Sequence, residues 1–174
     1  AGIAQSFSKY GAPGGEGDTP VIRVRVHEIV DDVMALYGGG SSAPALFEQE
    51  VAPDLPPVRA RTSELKEVLI NLLENARAAI NNGGVVRILG YQIDGRVVLA
   101  VVDDGSGIPE ELLPRIFDPQ FSTRSTGTGL GLPIVKRIVE SWGGTVKVDS
   151  AIGQGTTVSV LLDPWSEIPG TEVG

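Results

Sequence analysis

The sequence predicts an α+β fold, a two-layer sandwich in which a mixed, mostly antiparallel sheet carries three main helices on one face. Three observations predict it. Segments that alternate apolar and polar residues are interleaved with segments of 3.6-residue periodicity, so strands and helices share one core. In the second half the strands follow one another through short turns, as in "VVRILGYQIDGRVVLAVVDD" (85–104), which favours antiparallel pairing. Finally, 174 residues, 41% hydrophobic and 21% charged, suit one domain with a self-sufficient core.

In chain order, "IAQSFSKY" (3–10) reads as the end of a helix and "GAPGGEGDTP" (11–20) as a Gly/Pro-rich linker. Ala1 therefore reads as a cut, and the domain proper is expected over 21–163 with a loose tail over 164–174. "VIRVRV" (21–26) alternates as a strand does, and an amphipathic helix is expected over 28–37, stopped by Gly38, Gly39 and Gly40. "ALFEQEV" (45–51) gives a second strand. The longest helix is expected over 63–81, with Thr62 or Ser63 as its cap and Gly83 and Gly84 beyond its end. Strands over 85–93 and 96–104 meet at Asp94 and Gly95, a favoured hairpin pair. A helix over 130–142 precedes two last strands, "GTVKVDS" (144–150) and "GTTVSVLL" (155–162), and no internal repeat is found.

Composition narrows the functions. The formal net charge of -8 opposes long-range attraction to nucleic acid or an acidic membrane surface. No apolar run approaches the roughly 20 residues that cross a bilayer, and no signal peptide heads the chain. Absence of cysteine leaves no disulfide framework and no thiolate metal site. A nucleotide remains compatible, because a local site can oppose the global field.

Three stretches carry candidate chemistry. On the long helix Glu67, Asn71 and Asn75 are spaced by four and line one stripe beside the apolar face. Such a stripe fits either a solvated edge or carboxamide oxygens presented to Mg²⁺, which takes hard oxygen ligands. In "VVDDGSGIPEE" (101–111) an apolar strand runs straight into two aspartates and two glycines. A buried carboxylate there could accept from an exocyclic amine, with Gly105 and Gly107 leaving room for a flat ring; taken alone, Asp and Gly serve turn geometry equally well. In "TGTGLGLPIVKRIVESWGG" (126–144) glycines lead into a helix N-terminus, where unpaired N–H groups and the dipole favour phosphate. The spacing matches neither GxxxxGK[ST] nor GxGxxG, but Arg124, Ser122 and Thr123 just upstream offer further donors.

Four blocks in order, "ELKEVLINLLENARAAI", "DDGSGIP", "FDPQFSTR" and "GTGLGLPIVKRIVESWGG", resemble the N, G1, F and G2 boxes of the catalytic ATP-binding domain of sensor histidine kinases. The resemblance implies the Bergerat fold shared with gyrase, Hsp90 and MutL, with ATP held between helices under a lid. That lid is short here, as in nitrogen-regulation-type kinases.

Carried over by position, the resemblance implies that Asp103 bonds the adenine amine, that Gly105 and Gly107 shape that pocket, and that Asn75 coordinates Mg²⁺. Asn71 faces the phosphates, and Gly127, Gly129 and Gly131 hinge the lid and bring N–H groups to them, while Leu130 and Leu132 also pack. Arg124 is a candidate γ-phosphate contact, and Phe117 and Phe121 match the F box, from which Gln120 departs. The implied ATP contacts also take in Ile108, Ser122, Thr123, Thr126, Thr128 and Thr156, and the implied catalytic set is Asn71, Glu67 and Arg124.

Gyrase-like and Hsp90-like relatives place a glutamate base where this sequence has Asn71, and a carboxamide takes no proton from water. The resemblance therefore implies a kinase that preserves ATP for a protein acceptor, Glu67 being placed to support an incoming histidine. His27 in "HEIVDD" copies the phosphoacceptor pair only superficially and falls at a strand-to-helix junction inside the catalytic pattern. The acceptor is expected on a separate dimerisation domain, with a response regulator's receiver aspartate next in line. The fragment alone is expected to be a cytoplasmic monomer that binds ATP without autophosphorylating. An anti-sigma-factor-type serine kinase and a non-catalytic nucleotide-sensing module are the alternatives.

Overall fold

The computed structural model describes residues 20–37, 45–119 and 131–166. Along them run β1 (Ile22–Val24), α1 (Val26–Met34), β2 (Leu46–Val51), β3 (Val58–Ala60), α2 (Thr62–Ala79), β4 (Val85–Ile93) and β5 (Arg96–Asp103). A 3₁₀ turn at Glu110–Arg115 follows, then α3 (Gly131–Ser141), β6 (Thr145–Ala151) and β7 (Gly155–Leu162).

Five strands form one sheet in the order β2-β4-β5-β7-β6. β2 lies parallel to β4, and the other neighbours are antiparallel, the mixed, mostly antiparallel sheet expected. Asp94 and Gly95 both have positive φ, 52° and 79°, as a two-residue turn matching strand twist requires. Alternation along β4, β5 and β7 sends Val86, Ile88, Val97, Leu99, Val101, Val160 and Leu162 inward, where they join the buried faces of all three helices in one core. α2 supplies Leu65, Val68, Leu69 and Leu73, each without measurable exposure, and packs on both α1 and α3.

The first strand does not join this sheet. β1 pairs with β3 in a separate antiparallel ribbon, and the prolines before Val58 conceal β3 in the sequence. The segment after β7 closes on the ribbon: Arg59 N donates to Asp163 O at 3.1 Å and Trp165 N to Pro57 O at 2.8 Å, with the Arg59 guanidinium 5.7 Å from the Trp165 ring centre.

Helix ends also differ from expectation. α1 begins at Val26 and stops at Met34, earlier at both ends than its pattern suggests. At α2 neither Thr62 nor Ser63 is the cap; Arg61 holds that position without a side-chain cap. Glu64 lies in the first turn instead, where a carboxylate suits the positive end of the dipole. The helix ends at Ile80, which is already extended, before the glycines are reached.

Candidate functional site

β5 ends at Asp103, which is buried at 6% exposure. It stands between Val86 of β4 and Thr156 of β7 in register, so strand alternation turns it and Thr156 toward the helix layer. One carboxylate oxygen accepts from Gly105 N at 2.8 Å. Its neighbour Asp104 is exposed and accepts from Val85 N at 3.0 Å. The two aspartates thus separate by strand parity into an inward carboxylate and one that ties the loop to the start of β4.

The loop after Asp103 is held from two sides. Ser106 N donates to Ala79 O at 3.1 Å and Gly153 N to Ser106 O at 2.8 Å. Ile108 N donates to Ser150 Oγ at 2.8 Å, and that hydroxyl also lies 3.0 Å from Gly155 O and 2.7 Å from Thr156 Oγ1. The glycines answer to this packing: a Cβ at Gly105 would fall 2.5 Å from Ala79 O, and one at Gly107, where φ is +81°, would fall 2.1 Å from Ala151 O. Their missing side chains let the loop close on α2 and β6.

On α2 Glu67, Asn71 and Asn75 are half-buried, and Asn75 meets the start of α3. A Cβ on Gly131 would stand 3.1 Å from Asn75 Nδ2, so glycine there lets the helix N-terminus reach the carboxamide. One turn beyond Asn75, Ala79 holds the Asp103 loop, and α2 therefore joins both parts of the site. Leu132 and Phe117 pack against the core, with Lys136 Nζ 5.9 Å from the Phe117 ring centre. Gln120, Phe121, Ser122, Thr123, Arg124, Thr126, Gly127, Thr128, Gly129 and Leu130 lie outside the described residues.

Glu74, beside Asn75 in sequence, belongs to another cluster. Tyr37 Oη donates to it at 2.8 Å, it pairs with Arg77, and Tyr37 stacks on Phe47 at 4.6 Å between ring centres. Burial, and then the carboxylate that accepts its hydrogen bond, raise the Tyr37 pKa. Glu74 is thereby committed to the turn after α1. Among the described residues no group of three or more His, Asp, Glu or Cys could hold a metal. The hard oxygen donors on the α2 stripe are the carboxamides of Asn71 and Asn75 and the carboxylate of Glu67, and of these Asn75 lies beside the start of α3. Ser150 was absent from the expected site; its role depends on the β6–β7 register, which places it opposite Thr156, and no local spacing announces that.

A family model for histidine kinase-, DNA gyrase B- and HSP90-like ATPases matches residues 60–166. The chain belongs to that family. ATP is the ligand that membership implies. Over 141 residues it is 38% identical to the sensor histidine kinase ZraS of Klebsiella oxytoca, covering 80% of this chain and 30% of the relative. The sensory histidine kinase/phosphatase NtrB of Rhizobium meliloti is 33% identical over 163 residues, covering 83% of this chain and 42% of NtrB. The chain thus spans less than half the length of either relative. Among solved structures, the catalytic domain of histidine kinase ThkA superposes with a TM-score of 0.75 at 29% identity, covering 84% of this chain and 97% of that domain. ThkA in complex with the response regulator protein TrrA matches with a TM-score of 0.71 at 27% identity, covering 83% of this chain and 42% of ThkA. In sequence and fold the chain is similar to the catalytic domains of histidine kinases. No described helix is long and apolar enough to cross a membrane.

Proposed function

We infer that residues 21–163 form an ATP-binding catalytic domain that transfers the γ-phosphate of Mg-ATP to a histidine on a separate domain, for relay to a response-regulator aspartate. The observation that carries this reading is the convergence of α2 on two features: Asn75 against the start of α3, and Ala79 against the loop that follows buried Asp103.

Asp103 accepts from the adenine amine, while Thr156 and the Ser150 hydroxyl keep the adjoining loop in place. The fit to a divalent cation rests on the hard carboxamide oxygen of Asn75, whose side chain lies against Gly131, the first residue of a helix whose N-terminus favours phosphate. Asn75, with Asn71 one turn before it, would hold Mg²⁺, which when bound offsets charge on the phosphate oxygens. The α3 N-terminus orients those oxygens, and Arg124 is assigned to the γ-phosphate. Catalysis here is positioning and charge stabilisation. Asn71 accepts no proton from water, and Glu74 is engaged by Tyr37 and Arg77, so water is poorly activated and ATP persists for the imidazole acceptor. Glu67 is assigned to supporting that imidazole.

His27 is not the acceptor in this reading. It is exposed on α1, 3.5 Å from Asp31, on an element that supplies none of the site residues. Incubation with γ-labelled ATP, alone and with a histidine-bearing dimerisation domain, tests the assignment. Label on the added domain and none on the chain is expected; acid-labile phosphate on His27, or stable phosphoserine on an acceptor, would contradict it.

A further inference from the structure

Outside the nucleotide site, α2 and α3 share a second polar contact. Glu64, 8% exposed, and Trp142, 3% exposed, are both buried, and Trp142 Nε1 donates to Glu64 Oε1 at 2.8 Å. Arg61 Nη1 lies 3.0 Å from the same oxygen and 3.4 Å from Ser141 Oγ, and Ser141 Oγ donates to Ile138 O at 2.6 Å. The start of α2 is thereby fastened to the end of α3.

Eleven residues separate Glu64 from Asn75, and eleven separate Gly131 from Trp142. Both intervals are about three helical turns, roughly 16 Å at 1.5 Å per residue, so the helices run antiparallel with a polar contact at each end of one shared face. Between those ends Val68, Leu69 and Leu72 of α2 and Val135, Ile138 and Val139 of α3 belong to the shared apolar core, and apolar packing is non-directional. A buried carboxylate is a poor source of stability, since an apolar pair of similar volume often serves as well, whereas specifying register is a well-attested use of buried polar groups.

We propose that Glu64 and Trp142 are positioning residues for phosphate and metal binding. Their hydrogen bond fixes the register of α3 along α2, and so how closely the α3 N-terminus approaches Asn75. The proposal rests on the reading that Mg-ATP binds between these helices. Asp103 lies on β5, outside the helix pair, so loss of the bond disturbs the phosphate end and spares adenine recognition.

Calorimetry with the ATP analogue AMP-PNP, in Mg²⁺ and in EDTA, reads the two ends separately. Trp142→Phe keeps an aromatic ring and removes the donor; Glu64→Met removes the acceptor from the other helix. Each is expected to lower the Mg²⁺-dependent gain in affinity about fivefold, modest beside the hundredfold that ~1 Å of misplacement can cost, with a smaller loss in EDTA, where the phosphates still meet the α3 N-terminus. Glu64→Gln keeps an acceptor oxygen and should retain the wild-type gain. Equal weakening in both buffers, or an unchanged gain in both pin-breaking variants, would overturn the proposal. A wild-type chain that binds AMP-PNP without any Mg²⁺-dependent gain would overturn the underlying metal assignment, and the proposal with it.

Discussion

Asp103 uses one oxygen to hold Gly105 N at 2.8 Å while buried at the end of β5, where an amide in its place would turn a donor toward an amine. Asp103→Asn should therefore weaken ATP-analogue binding at least several-fold, in line with the ~1–3 kcal/mol that an unsatisfied buried polar group costs; unchanged affinity by calorimetry would remove Asp103 from the site. Gly107→Ala tests a different claim, because its Cβ would stand 2.1 Å from Ala151 O at φ +81°. The loop would have to move, and a stability loss of at least the ~1–3 kcal/mol of a strained residue is expected, read as a lower melting temperature. A variant as stable as wild type would show that the loop does not depend on that contact. Asp103 and Asn75 were legible in the sequence because each sits at a readable position, a strand end and a helix stripe. Ser150 was not, since a serine in a strand shows nothing of the loop that another turn brings to it. The same limit hides the packing of Gly105 and Gly107, whose neighbours Ala79 and Ala151 are distant in sequence.

At the scale of elements, the turn after α1 meets α2 and β2 at Tyr37, Glu74 and Phe47. Folding raises the Tyr37 pKa above the value near 10 of the unfolded chain, so between those two values the folded state holds the proton that the unfolded state has released. The stability this group contributes is full below about pH 10 and is lost as pH rises beyond it. Wild type should lose melting temperature above pH 10 more steeply than Tyr37→Phe; parallel curves would show that the phenol is not protected by folding. The longer elements were readable from periodicity and from Asp94-Gly95. β3 escaped because three residues among prolines carry no pattern, and the α2 start was misassigned because Thr62 and Ser63 look like caps while Arg61 takes that place and Glu64 turns to Trp142. The short ribbon likewise depends on a tail that no local signal links to it.

For the whole molecule, the fold class was legible because the order of strands, hairpin and helices leaves few ways to cover one sheet face. The placement of the site follows from it: β5 delivers Asp103, α2 spans from that loop to Asn75, and α3 begins where α2 presents its carboxamides. Such a domain should hold nucleotide without consuming it quickly, because Asn71 is a carboxamide that takes no proton from water and Glu74 is engaged elsewhere. Steady-state phosphate release by the isolated chain should be near background and should rise when Asn71→Asp or Asn71→Glu supplies a carboxylate; rapid release by wild type would contradict the kinase reading. The most direct measurement is a calorimetric titration of the chain with AMP-PNP, first with Mg²⁺ and then with chelator. Saturable one-site binding that tightens with Mg²⁺ is the predicted result, and no binding at millimolar ligand would contradict the account.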